Sequence, residues 1–134
     1  MQILPPQFTQ WFARKSWTVH PHQQDMLDRA DAPALLLIAP TGGGKTLSGF
    51  LPTLVELADG HHQGMHTLYI SPLKALAADI KRNLTTPVTE MDLPIRIEDR
   101  TGDTSQTRKR RQRADPPHIL LTTPESLALL TSYE

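Results

Sequence analysis

The chain has 134 residues and a mass of 15.0 kDa, with 14 Lys plus Arg balanced by 14 Asp plus Glu, six His, twelve Pro and no Cys. That length holds one domain at most, and 38% apolar residues suffice for one ordinary core. The lack of cysteine excludes a disulfide scaffold and a thiolate metal site, and zero net charge means that any nucleic-acid contact must be local. No apolar run approaches the ~20 residues that cross a bilayer, and the opening Met1-Gln2-Ile3-Leu4-Pro5-Pro6 lacks the basic and apolar regions of a signal peptide, so a soluble, cytoplasmic protein with no membrane partner is expected.

In chain order, two helical pieces are predicted at 5–13 and 21–29, followed by a strand at 34–39 (A-L-L-L-I-A). A helix at 46–58 places Leu47, Phe50, Leu51, Leu54, Val55 and Ala58 at helical spacing, with a kink expected at Pro52. Strands then follow at 67–71, 95–100 and 119–123, separated by helices at 73–84 and 105–113. The strands at 34–39, 67–71 and 119–123 are nearly continuous apolar runs, as in strands covered on both faces, whereas 95–100 alternates and belongs near an edge. A last helix begins near Pro124 or Glu125 and carries Leu127, Leu129 and Leu130 with no strand after it to cover them, so the chain reads as truncated. Alternating strands and helices predict an α/β fold with a mostly parallel sheet and helices on both faces.

The sharpest signal is Ala39-Pro40-Thr41-Gly42-Gly43-Gly44-Lys45-Thr46, directly after an apolar strand and directly before a helix. It fits the P-loop, with Ala in place of the first Gly. Glycines let successive N–H groups turn inward, and the helix N-terminus adds a positive dipole end, so the segment suits a phosphate chain. Lys45 and Thr46 are the catalytic candidates: the ammonium reaches the β- and γ-phosphates, and the hydroxyl ligates Mg²⁺. The competing reading is a glycine-rich turn that merely precedes a helix. Upstream, Gln23 offers one acceptor and two donors that match an adenine edge, although on chemistry alone a surface glutamine is the commoner explanation. The run His61-His62-Gln63-Gly64-Met65-His66 reads as a polar loop, because no Cys or second carboxylate-bearing turn accompanies it.

A-P-T-G-G-G-K-T, then S-P-L-K-A-L-A, then R-T-G-D-T, then T-T-P-E-S-L together resemble the first half of the motor of a superfamily 2 DExH-box helicase, on its large helicase-related (Lhr-like) or ligase-associated branch. The resemblance covers about residues 11–133. It implies an incomplete RecA-like P-loop NTPase domain: 1–33 as an amino-terminal helical segment in which Gln23 reads adenine with Trp17 nearby, and 34–134 as the first part of the ATP-binding domain. It also implies that residues 71–77, including Ser71, Pro72 and Lys74, are motif Ia. Thr101, Gly102, Asp103 and Thr104 then form a backbone-contacting turn, and Thr123, Pro124 and Glu125 belong to motif Ib. All would face a single-stranded or partly duplex nucleic acid, DNA favoured over RNA. Each segment follows a predicted strand, at the carboxyl edge where open α/β sheets bind ligands. Taken alone, Ser71, Thr104 and Thr123 are equally ordinary helix N-caps. The basic run Arg108-Lys109-Arg110-Arg111 with Arg113 reads first as a solvated helix.

Phosphoryl transfer also needs an acidic residue for Mg²⁺ and the attacking water, which such motors carry in D-E-x-H, and an arginine from a second RecA-like domain. Neither is in this sequence, and no catalytic base is assigned. The nearest candidate, Ile95-Arg96-Ile97-Glu98-Asp99, alternates instead of forming an apolar strand and lies before the T-G-D-T turn rather than after T-T-P-E. Two readings remain: part of an ATP-dependent helicase partnered by the rest of its chain, or a nucleotide- or nucleic-acid-binding module without turnover. A P-loop kinase leaves Ala39-Pro40-Thr41 and the T-T-P-E segment unexplained.

Overall fold

A computed structural model of the chain describes residues 2–38 and 45–132, with Lys45 by its backbone alone. Two short helices come first, α1 (Pro6–Arg14) and α2 (Pro21–Asp28), each started by a proline whose missing N–H costs nothing in a first turn. There follow α3 (Lys45–Leu57), β1 (Thr67–Ile70), α4 (Lys74–Glu90), β2 (Ile97–Arg100), α5 (Gln106–Ala114), β3 (Ile119–Thr122) and α6 (Pro124–Thr131). The strands form one parallel sheet in the order β1-β3-β2.

β3 lies in the middle because it is the most apolar strand: all four of its residues are buried, Ile119 and Leu121 toward the main core and Leu120 away from it. That core also gathers Phe8, Trp11 and Phe12 of α1, Leu27 of α2, Leu51, Leu54 and Leu57 of α3 and Leu84 of α4. The alternating segment forms an edge strand, β2, as its pattern predicts. Its outer edge is covered by α5. The Arg96 and Arg100 carbonyls accept from the β3 side, and the Asp99 carbonyl, pointing the other way, accepts from Gln112 Nε2 at 3.1 Å. Arg108 of α5 pairs with Asp99 at 3.3 Å and Arg111 pairs with Glu98. Arg108 and Arg111 of that helix are therefore engaged at the sheet edge rather than merely solvated.

Three expectations are corrected. Of the strand at 34–39, the described residues 34–38 form no ladder, and Leu36 and Ile38 are 85% and 84% exposed. A strand exists only through a neighbour's backbone, and none of the described strands pairs with this segment. The strand at 67–71, expected to be covered on both faces, is an edge strand among the described residues, with Leu68 and Ile70 exposed. Finally, the helix at 73–84 runs on to Glu90, passing through Pro87, which is buried close to the helix end.

Candidate nucleotide and nucleic-acid site

Ala39, Pro40, Thr41, Gly42, Gly43 and Gly44 lie outside the described residues, as does the side chain of Lys45. α3 does begin at Lys45, so Thr46 stands in its first turn, half-buried. Beside it is a cavity of about 630 Å³, within the range of small-molecule sites. Trp17, His20, Gln23, Thr46 and Leu47 line one side and Asn83, Thr86 and Pro87 of α4 another. Thr86 and Pro87 fall beyond the helix predicted at 73–84, which stops short of the proline, and Asn83 inside it carried no signal for a site.

Gln23 is 2% exposed, so the surface-glutamine alternative does not hold. Its Oε1 accepts the His20 N–H at 2.8 Å, one turn back, at the start of α2. His22 Nδ1 and Ser48 Oγ lie 2.6 Å apart, tying α2 to the α3 turn that carries Thr46. Trp17, 53% exposed, stands edge-on to Trp11 at 5.4 Å, and Lys15 joins this wall to Glu90 of α4 at 2.7 Å. The hydrogen bond and charge from Lys15 hold the Glu90 carboxyl below its ordinary value.

The nucleic-acid candidates meet on a second feature. Ile70, Thr122 and Arg100 are in register across the three strands, so the residues that follow them, Ser71, Thr123 and Thr101, stand in one row at the carboxyl edge. At about 4.8 Å per strand the row spans roughly 10 Å. Its hydroxyl residues are buried and shape the loops. Thr123 caps α6 by accepting from Ser126 N–H at 3.4 Å, as an ordinary N-cap would. Ser71 and Thr104 are not caps, since those positions belong to Leu73 and Ser105. Thr104 Oγ1 instead accepts the Thr101 N–H at 2.9 Å, and Thr101 Oγ1 accepts the Asp103 N–H at 3.2 Å, which closes the T-G-D-T turn. The solvent-facing rim consists of Pro72, Lys74, Gly102, Asp103, Pro124 and Glu125. At Gly102 an added Cβ would meet nothing within 4 Å, so the backbone is open to approach.

The histidine loop does other work: His66 Nε2 lies 2.7 Å from Glu56 Oε2 and Nδ1 lies 2.7 Å from Thr67 Oγ1. Among the described residues no helix is long and apolar enough to cross a membrane.

A parallel sheet with its loops gathered at the carboxyl edge, next to a helix that opens on Lys45-Thr46, is the build of RecA-like helicase domains. Residues 20–134 match the DEAD/DEAH box helicase family, and the chain belongs to it. More narrowly, it is 41% identical to the ATP-dependent helicase Lhr-Core protein 2 of Thermococcus barophilus, over 96% of this chain and 17% of that protein. It is 42% identical to the Lhr helicase/probable uracil glycosylase of Mycolicibacterium smegmatis, over 90% of this chain and 9% of that one. The structure of Mycobacterium smegmatis helicase Lhr bound to ssDNA and AMP-PNP superposes with a TM-score of 0.85 at 41% identity, covering 95% of this chain and 18% of that chain. The chain thus spans less than a fifth of the length of these relatives.

Proposed function

We propose that the chain is part of the ATP-binding motor domain of an ATP-dependent helicase, binding ATP with Mg²⁺ at residues 39–46 and a nucleic-acid strand along the row Ser71, Thr123 and Thr101. The observation that carries this reading is the cavity in which Gln23, Trp17 and Thr46 meet beside the helix that the glycine-rich segment precedes. Gln23 spends its oxygen on His20, so Nε2 is the end left to donate to an acceptor on a base. Trp17 offers an exposed ring for stacking. The Thr46 hydroxyl, a hard oxygen donor, fits Mg²⁺, which would neutralise phosphate charge, and Lys45 would supply an ammonium to the β- and γ-phosphates. The likeness to a helicase solved with ssDNA and AMP-PNP supports a nucleotide and a nucleic-acid strand as ligands, and DNA is the strand proposed.

Turnover belongs to the protein at its natural length, because no D-E-x-H stands in these 134 residues. That same fact supports a second reading for this stretch taken alone, a binding module without hydrolysis. ATP hydrolysis assayed at natural length, with and without single-stranded DNA or RNA, tests the proposal. DNA-stimulated hydrolysis is expected; ATP and DNA binding without turnover would favour the second reading.

A further inference from the structure

The rim of the strand edge holds one ion pair, and it joins the start of α4 to the T-G-D-T turn. Lys74 Nζ lies 2.8 Å from Asp103 Oδ2, across a sequence separation of 29 residues. The pairs that fasten α4 and α5 to β2 use carboxylates sunk against the sheet, Glu98 at 14% and Asp99 at 26% side-chain exposure. Lys74 and Asp103 are 56% and 80% exposed, and the turn that carries Asp103 is closed by its own hydroxyls without them. The backbone of the turn that carries Asp103 is set by the Thr101 and Thr104 hydroxyls, so the residue is held at the rim whether or not Lys74 is there.

We propose that Asp103 is a displaceable stand-in for a backbone phosphate: it holds the Lys74 ammonium at the rim until a phosphate of the bound strand takes its place. This rests on the reading of that edge as the nucleic-acid interface. A carboxylate and a phosphodiester offer an ammonium the same anionic oxygens, and a pair this exposed is weak and readily exchanged. In the exchange Asp103 passes to water and Lys74 keeps one anionic partner throughout. The lysine is thereby positioned before the strand arrives, and the strand must displace an anion in order to bind. The hydrogen bond and charge from Lys74 lower the Asp103 carboxyl pKa, in keeping with an anion already in place.

The test is equilibrium binding of an oligo-dT strand to the protein at its natural length, over a salt series, for Asp103→Asn, Lys74→Gln and the double variant, with thermal unfolding as a check on the fold. Asp103→Asn is expected to bind roughly threefold more tightly at low salt, with the gain shrinking as salt screens the pair it removes. Lys74→Gln is expected to bind more weakly, with the slope of log K against log salt shallower by about 0.7, one phosphate contact on a single strand. In the Lys74→Gln background the Asp103→Asn gain should disappear. A gain that persists undiminished there would make Asp103 a simple repulsive charge and overturn the proposal, as would the absence of any gain in the single variant. If Lys74→Gln changes neither affinity nor slope, the reading of this edge as the nucleic-acid interface fails as well.

Discussion

The side-chain oxygen of Gln23 accepts the backbone N–H of His20, so a residue that lines the cavity beside Thr46 also starts the helix that carries it. Removing the side chain should then have two separable effects. Gln23→Ala is expected to lower stability by about 1 to 2 kcal/mol, the loss of a helix-start bond at a buried position. Gln23→Glu keeps the accepting oxygen, at a helix start that favours a negative charge, but loses the NH₂ donors. Burying a carboxylate there costs stability that the retained bond offsets only in part, while ATP affinity falls for want of the donors. Urea unfolding and titration of an ATP analogue read the two effects independently, and unchanged ATP affinity in both variants would remove Gln23 from the nucleotide site.

For Lys45, the expected outcome of substitution to Ala at natural length is loss of ATP turnover with the fold intact, because the ammonium is required only where phosphate charge is gathered. Circular dichroism and a phosphate-release assay check this. Retained hydrolysis with a normal spectrum would sink the P-loop assignment.

The 134 residues alone should show no nucleic-acid-stimulated ATP hydrolysis, since the Mg²⁺-holding acid of D-E-x-H is missing from them. Stimulated turnover from this stretch in pure form would mean that another acidic residue takes that part.

Acid should loosen the sheet edge. Burial pushes the Asp99 carboxyl up, but the hydrogen bond and charge from Lys81, with Arg108 beyond, outweigh it and leave the pKa below the ordinary 3.8. A carboxyl whose folded value is depressed adds stability at pH above its unfolded value and loses it as pH falls through the folded one. The contribution is therefore complete above about pH 5 and fades below pH 3.8. Asp99→Asn should be less stable than the parent at neutral pH, with the gap narrowing in acid. Urea midpoints measured between about pH 7 and pH 2 follow this, and a gap that stays constant would mean that Asp99 acts through packing alone.

Leu121, fully buried in the central strand, is part of the core shared by α1 and α3. Leu121→Ala is expected to cost about 2 to 5 kcal/mol in urea unfolding, and a loss under 1 kcal/mol would mean that the site collapses around the smaller side chain.

Features that a few neighbouring residues decide are legible along the chain. Thr123 and Ser105 accept N–H groups three positions on, the prolines at 6, 21 and 124 open helices, and the apolar run Ile119–Thr122 is buried wherever a sheet forms. The glycine-rich segment, T-G-D-T and T-T-P-E-S are of the same local kind, and they carry the family resemblance. The tertiary structure decided what depends on partners far along the chain. The apolar segment 34–38 has the composition of a strand but forms none among the described residues, because a ladder needs a second backbone. The basic helix turned from a solvated surface into an edge cover because Glu98 and Asp99 stand opposite Arg111 and Arg108. Likewise, Lys74 and Asp103 are unrelated positions in the sequence. Parallel strands in register carry their loops to the same edge and bring the two within 2.8 Å.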